Sequence, residues 1–437
     1  MADFALLQKD QQVEFNSGRT ATVAGKLGSG GQGIVYRVIF DDTGEEKALK
    51  WYFRDNLSNP KKFYNHLASN IQGGSPSKTF VWPEELTVWN DNESFGYVME
   101  IFPQGYEEFP QFLNARVKFH SVQAMVNAAL NMALAFNALH SKGYNYQDLN
   151  DGNISINPDS GDVFICDNDN IMGHGEHSGI EGKKRYMAPE VVRGEKQPDK
   201  NTDRYSLSLV LFMLLIGDHP LEGQKTNVPV LTDKYDKKIF GTEPLFIYDK
   251  NDNSNAPIPG LHQNAITLWK YFPGFIKAAF QAAFSQESLL NAHGRLLDQD
   301  WFHILMRLKS SIVKCPQCGA EIFLESTRET ICGNHKVQPV GYLNFDKRSN
   351  RLVTVPIFKG AVLYNYHVDN SEDFKNVAAL IKEKNGKFGL ENKTNRSWTI
   401  TAPDGKMATR QPGEIAVLGA NFTINFGGGN TAQVILN

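Results

Sequence analysis

Three side chains in one stretch of this 437-residue chain could together handle a phosphoryl group. Asp148 opens the stretch, Asn153 follows, and Asp167 lies just past an apolar, strand-like Val163–Cys166. A carboxylate beside an attacking hydroxyl can take its proton, and a carboxylate with an amide oxygen suits a hard cation such as Mg2+ or Mn2+. Taken singly, each is an ordinary turn residue. Taken together, they call for phosphate-binding groups elsewhere, and these lie upstream. Gly28-Ser29-Gly30-Gly31-Gln32-Gly33-Ile34-Val35 reads G-x-G-x-x-G-x-V between two expected strands. Gly28, Gly30 and Gly33 would let the backbone approach phosphate oxygens and adopt positive φ. A strand rather than a helix follows them, which disfavours a dinucleotide-binding turn. On that next strand, Lys50 in Lys47-Ala48-Leu49-Lys50 could hold the α- and β-phosphates.

The elements that must position these residues are legible from periodicity. Residues 11 to 105 alternate apolar and polar positions over Thr20–Val23, Ile34–Phe40, Lys47–Phe53, Phe80–Val88 and Gly96–Ile101, with one short helix near Pro60–Ile71. From Val122 to Ser141 the apolar residues fall three and four apart, and that spacing recurs at Tyr205–Ile216, Phe275–Ala283 and Trp301–Lys309. A sheet-rich lobe followed by a helical lobe predicts a cleft between them. The longest apolar run, Leu207 to Ile216, is too short for a membrane span and reads as a buried helix.

Length and composition bound the rest. The chain is long enough for two or three domains, with boundaries near 310 and 338. With 41% hydrophobic and 21% charged residues and a net charge of −3, neither nucleic acid nor an anionic membrane is an expected partner. No N-terminal stretch reads as a signal peptide, and four cysteines are poor material for disulfides, so a cytoplasmic location is expected. Three of those cysteines cluster: Cys315, Cys318, Cys332 and His335 read C-x2-C-x13-C-x2-H, a spacing suited to structural Zn2+ with a closed shell. Residues 339–437 return to short strands and turns and read as a small β-sandwich.

The motifs in this order resemble the eukaryotic-type (Hanks-type) protein kinase family, in a divergent bacterial-style Ser/Thr branch. Val98-Met99-Glu100 resembles the strand entering the hinge between lobes, and Ala188-Pro189-Glu190 the end of the activation segment. Thr202-Asp203-Arg204-Tyr205-Ser206-Leu207 resembles the start of the central helix, and Arg295 stands where the family pairs an arginine with Glu190. The resemblance implies an α+β, bilobal protein-kinase-like fold over 11–310, with an N-lobe of about 11–102 and a C-lobe of about 103–310. A zinc-binding module over 311–338 and the β-sandwich would follow. It further implies ATP and Mg2+ as cofactors and a protein hydroxyl, Ser or Thr, as acceptor. Asp148 would orient that hydroxyl, Asn153 and Asp167 would hold Mg2+, and Lys50 would grip phosphates beneath Gly28, Gly30 and Gly33. Val35, Ala48, Met99, Glu100 and Phe102 would surround the adenine.

Several positions depart from the family. No Asp or Glu lies between Asp55 and Glu84, so the first helix offers Lys50 no carboxylate. Asn65 is the nearest polar candidate there, with Asp167 or the nucleotide itself as other partners. Tyr146-Gln147 replaces His-Arg, which removes the arginine that would gather a phosphorylated loop; the only loop hydroxyls are Ser178 and Tyr186. Asn168-Asp169 replaces Phe-Gly, a change expected to restrict a backbone flip. Asn150 replaces a lysine that Lys183 could supply from across the site. These departures keep a nucleotide-binding pseudokinase scaffold as the alternative. Phe388-Gly389-Leu390-Glu391-Asn392, Trp398, Pro412-Gly413-Glu414 and Phe422–Gly427 faintly resemble a forkhead-associated domain, without its phosphothreonine-reading residues, so a protein partner is expected there.

Overall fold

The computed structural model describes residues 6–91, 94–173, 182–230, 232–326, 329–348 and 351–437. The early alternation folds into an antiparallel sheet of β1 (Gln12–Glu14), β2 (Thr20–Ser29), β3 (Gly33–Phe40), β4 (Glu46–Tyr52), β5 (Glu85–Leu86) and β6 (Gly96–Met99), ordered β1-β2-β3-β4-β6-β5. β4 is buried on both faces. One face meets Phe15, Val23, Val38 and Phe40, and the other puts Tyr52 against Tyr64, Leu67 and Phe95. Helix α1 (Pro60–Gly73) supplies Tyr64 and Leu67; it starts where Asn59 accepts the Lys62 N–H at 3.0 Å, with Pro60 at its first position.

The strand expected over Phe80–Val88 is shorter than its alternation implies. Phe80 makes an isolated bridge to Ile165 and Thr87 one to Phe15, and the regular strand is confined to Glu85–Leu86, with Glu84, Thr87 and Val88 bonding its neighbours at 2.8 to 3.0 Å. Pro83 has no N–H to give a ladder, so pairing starts after it.

The helical half is built on α2 (Val122–Ser141), α3 (Lys200–Ile216) and α4 (Asp298–Ser310). Ser121 caps α2 by accepting the Ala124 N–H at 3.0 Å, and Asp199 and Thr202 cap α3 reciprocally. α2 has the length and hydropathy to cross a membrane. Here Val126, Leu130, Ala133, Phe136 and Leu139 are spent on the core, with Leu207–Ile216 of α3 and Trp301, Phe302 and Leu305 of α4. Between α2 and α3, β7 (Ile154–Ile156) and β8 (Val163–Ile165) form a hairpin that carries the candidate residues at its two ends.

Beyond α4, two small hairpins, Ile312–Lys314 with Glu321–Phe323 and Thr330–Cys332 with His335–Val337, precede two antiparallel sheets. One has six strands and includes Gly341–Arg348, Thr431–Leu436 and Trp398–Thr401; the other has four and includes Val377–Lys384 and Lys387–Asn392. Val313, Leu324 and Val337 of the hairpins share a core with Leu343, Trp398, Ile424 and Phe426. Phe323, Tyr364, Tyr366 and Phe374 reach the other way, into the helical core. His303 lies 2.8 Å from the Tyr366 hydroxyl, and the Lys309 ammonium donates to the Phe374 carbonyl at 2.6 Å.

Candidate active site

The loop from Tyr146 to Asn153 hangs from one carboxylate. Asp203, near the start of α3, accepts the Tyr146 N–H at 2.6 Å and the Gln147 N–H at 3.0 Å. This fixes Gln147 at φ +70°, a conformation costing a non-glycine residue about 1 kcal/mol or more. Asp203 also faces Nε2 of His140 at 3.1 Å, while Nδ1 of His140 faces Asp298 of α4 at 2.7 Å. Burial opposes charge on this imidazole, but the two carboxylates outweigh it and raise its pKa to about 9. A charged His140 therefore joins α2, α3 and α4 directly beneath the loop. Tyr146, fully buried, donates its hydroxyl to the Cys166 carbonyl, which ties the loop to the residue before Asp167.

Within that frame, burial pushes the Asp148 carboxyl up to about 6, opposed by an Asn150 amide 3.2 Å from its Oδ1. Asn153 gives its Nδ2 to the Asp148 carbonyl at 3.0 Å, so the amide oxygen is what it offers to a cation. Asp167 sits at φ +52° with its side chain half exposed. Lys50 lies across the cleft from it, its ammonium 3.2 Å from Asp167 Oδ1 and 3.4 Å from Gln32 Oε1. Burial alone would lower the pKa of Lys50; Asp169 and Asp167 more than reverse this and raise it.

Asn65 is not a partner of Lys50. The inward positions of α1 are Tyr64, Leu67 and Asn70, which leaves Asn65 exposed to solvent. The closest acid is instead Asp169, 2.6 Å from the ammonium and completely buried, with the Tyr52 hydroxyl donating to the same oxygen at 2.5 Å. Sequence reasoning treats Asp169 only as a brake on the backbone and overlooks Tyr52. The available signal was the coincidence of an acid two residues after Asp167 with a first helix that has none.

The glycine loop behaves differently from expectation. Gly28, Gly30 and Gly33 all keep negative φ. A Cβ on Gly28 or Gly30 would meet open space, whereas one on Gly33 would lie 2.2 Å from the Trp51 carbonyl. Gly33 is thus required by the close approach of β3 to β4, whereas no neighbour requires glycine at positions 28 and 30. Val35 pairs with Lys50, and Ala48 with Met99, across adjacent strands. Glu100 bonds the Lys47 ammonium at 2.7 Å, and Phe102 is partly exposed, 5.8 Å ring to ring from Phe164. Lys183 bonds Asp151 at 3.0 Å, and its ammonium would lie 3.4 Å from a Cβ on Gly152, beside the Asp148 loop. Asp151 is a second partner that sequence reasoning leaves unassigned. A groove of about 640 Å3 lined by Ile71, Phe80, Trp82, Pro83 and Phe164 touches the candidate residues at Glu100, with none of the phosphate or metal candidates in its wall.

Remote from this cleft, the hairpin turns bring Cys315, Cys318, Cys332 and His335 together, every ligand atom within 4.8 Å of the others. Cys315 Sγ is 3.6 Å from His335 Nδ1, and Cys318 Sγ is 3.6 Å from Cys332 Sγ. Tetrahedral Zn–S bonds of about 2.3 Å place two sulfurs roughly 3.8 Å apart, so the donor set fits that ion. Although burial would raise it, the N–H groups of Cys318 and Gln317 hold the Cys315 thiol down to about 6.

Comparison with known proteins agrees with the geometry of the cleft. Residues 21–270 match the family model described as protein kinase domain. Calcium-dependent protein kinase 5 of Plasmodium falciparum is 27% identical over 234 residues, covering 52% of this chain and 38% of its own length. Eukaryotic translation initiation factor 2-alpha kinase 3 of Bos taurus is 33% identical over 246 residues, covering 48% and 21%. Serine/threonine-protein kinase pim-2 of Danio rerio is 25% identical over 236 residues, covering 50% and 74%. The chain thus spans less than two-fifths of the length of the first two relatives. The family model takes in the glycine loop, Lys50, Asp148, Asn153 and Asp167 and covers more than half of the sequence, so this chain belongs to the protein kinase domain family.

Proposed function

We propose that the chain binds Mg-ATP, or Mn-ATP, between its two halves and transfers the γ-phosphoryl group to a Ser or Thr hydroxyl of a protein. The observation that carries this reading is the meeting of Lys50 with Asp167 at 3.2 Å across the cleft, beside Asp148 and Asn153. Bound Mg2+ would neutralise phosphate charge, and Asp167 with the amide oxygen of Asn153 would hold it. Lys50 would orient the α- and β-phosphates beneath Gly28, Gly30 and Gly33. Lys183 would approach the transferring group from the Gly152 side, making good the absence of lysine at position 150. Asp148 would align the acceptor hydroxyl and take its proton. Val35 and Ala48 would cover the adenine, with Met99, Glu100 and Phe102 along its edge. Mg-dependent transfer of label from γ-labelled ATP to protein, lost in Asp167→Ala, tests the reading. Binding without transfer would leave a nucleotide-binding scaffold.

The Cys315, Cys318, Cys332 and His335 cluster is proposed to hold one structural Zn2+. Its support is the chemistry of the donors and their mutual distances; four protein ligands would close the shell against catalysis. The two C-terminal sheets are proposed as a forkhead-associated-like module for a protein partner, on the strength of their shared core around Trp398 and Phe426.

A further inference from the structure

Lys50 is a buried ammonium, its side chain 9% exposed, and such a charge needs a fixed counter-ion to remain in place. α1 cannot supply one. Its inward positions are Tyr64, Leu67 and Asn70; Asn70 is committed to the Ile171 carbonyl at 3.1 Å, and Phe63 packs edge-on against Tyr52 at 5.2 Å. Among the described residues two acids reach Lys50, and they are unlike. Asp167 is 3.2 Å away and half exposed, free to face a cation in the cleft. Asp169 is 2.6 Å away with no exposed side-chain surface, and Tyr52 fixes it from the opposite side. Its other oxygen, Oδ1, is buried without a hydrogen-bond partner among the described residues, an expensive arrangement for a group whose only task is to fill space. The preceding residue locks the backbone there: Asn168 Nδ2 donates to the Val81 carbonyl at 2.7 Å and the Ile165 carbonyl at 2.8 Å.

We propose that Asp169, oriented by Tyr52, is the positioning residue for Lys50. It holds the ammonium in the geometry that receives phosphates and leaves Asp167 to the metal. The proposal rests on the nucleotide-binding reading above. Because the anchor sits on the segment that bears Asp167 rather than on α1, a shift of α1 would not by itself release Lys50.

The test is a double-mutant cycle on the full chain: wild type, Asp169→Asn, Lys50→Met and both together. kcat and KM for ATP are measured with γ-labelled ATP, alongside Mg-ATP affinity. The expected result is a kcat roughly tenfold or more lower in Asp169→Asn, since a misplaced catalytic group costs up to about 10²-fold. The same change in the Lys50→Met background should alter kcat by no more than about twofold, because the partner it acts through is gone. Tyr52→Phe should give a smaller loss with the same dependence on Lys50, and it stands in should Asp169→Asn not fold. Equal losses in both backgrounds would assign Asp169 a purely structural role and overturn the proposal, as would an Asp169→Asn chain within twofold of wild type. A wild-type chain that binds Mg-ATP without transferring label overturns the kinase reading alone, and the affinity cycle then decides on Asp169 by the same criterion. A wild-type chain that binds no Mg-ATP overturns both.

Discussion

Asp148 has the environment a hydroxyl-proton acceptor requires at neutral pH. Desolvation raises its carboxyl to about 6, bringing its basicity closer to the working pH while leaving it ionised there. Under the proposed function the active form is the carboxylate, so kcat/KM should fall as pH drops through about 6 and level off above 7. Asp148→Asn should remove that inflection along with most of the rate. An acid limb centred near 4, where an unperturbed aspartate titrates, would contradict the burial account. The spacing of Asp148, Asn153 and Asp167 could be read locally, because one short hairpin, β7–β8, separates them. The bond from Lys50 to Asp169 could not, since its ends are 119 positions apart and only the fold joins them. Asn65 is the matching error: its polarity invited the pairing, but helical geometry turns it outward.

Among the elements, the activation segment carries the clearest regulatory expectation. A phosphate orders a loop only where a cation is available to receive it. Here Lys183 bonds Asp151, Lys184 bonds Asp233 at 2.9 Å, and Arg185 makes a two-pronged pair with Glu222 at 2.5 and 2.8 Å. Position 147 is a neutral glutamine, its amide 2.5 Å from Asn145 Oδ1. Tyr186 is buried, and Ser178 lies outside the described residues. The segment should therefore be competent as synthesised. Phosphatase-treated protein, and the Ser178→Ala, Tyr186→Phe pair, should retain activity within about tenfold of untreated wild type; a larger loss with the fold intact would show that a loop phosphate is needed. The cysteine hairpins yield a second expectation. Purified chain should carry one zinc, and chelation or Cys315→Ser should loosen the C-terminal sheets, seen as a lower melting transition, while Mg-ATP binding persists. Elemental analysis finding no zinc would sink that reading. Val122–Ser141 was legible end to end because its buried residues carry the helical period throughout; Lys200–Ile216 and Asp298–Ser310 begin before Tyr205 and Trp301, on polar first turns that apolar spacing does not mark. The Phe80–Val88 strand was misjudged because alternation says nothing of a proline that interrupts the ladder.

At the scale of the whole molecule, the positions near 310 and 338 do mark changes of element, but packing runs across them. Phe272 meets Phe323 at 5.0 Å, Phe302 meets Tyr366 at 5.5 Å, and Val122 donates its N–H to Glu321 at 2.6 Å. Pairings between aromatic residues so far apart in sequence leave no periodic trace, so the docking of the last hundred residues against α2 and α4 emerges only from the fold. The two halves around the cleft were easier to anticipate, since the change from period two to period 3.6 falls between them. That cleft brings a lysine on a strand, a carboxylate on a loop hung from Asp203 and a second carboxylate after β8 to one place. Phosphoryl transfer should occur there. The most direct measurement incubates the full chain with γ-labelled ATP, Mg2+ and a generic protein substrate, alongside Asp148→Ala and Asp167→Ala. Wild type should transfer label only with the metal present, Asp167→Ala should transfer none, and Asp148→Ala should be slower by about 10²-fold or more. Unchanged transfer in both variants, or none from wild type under any metal condition, would contradict the account.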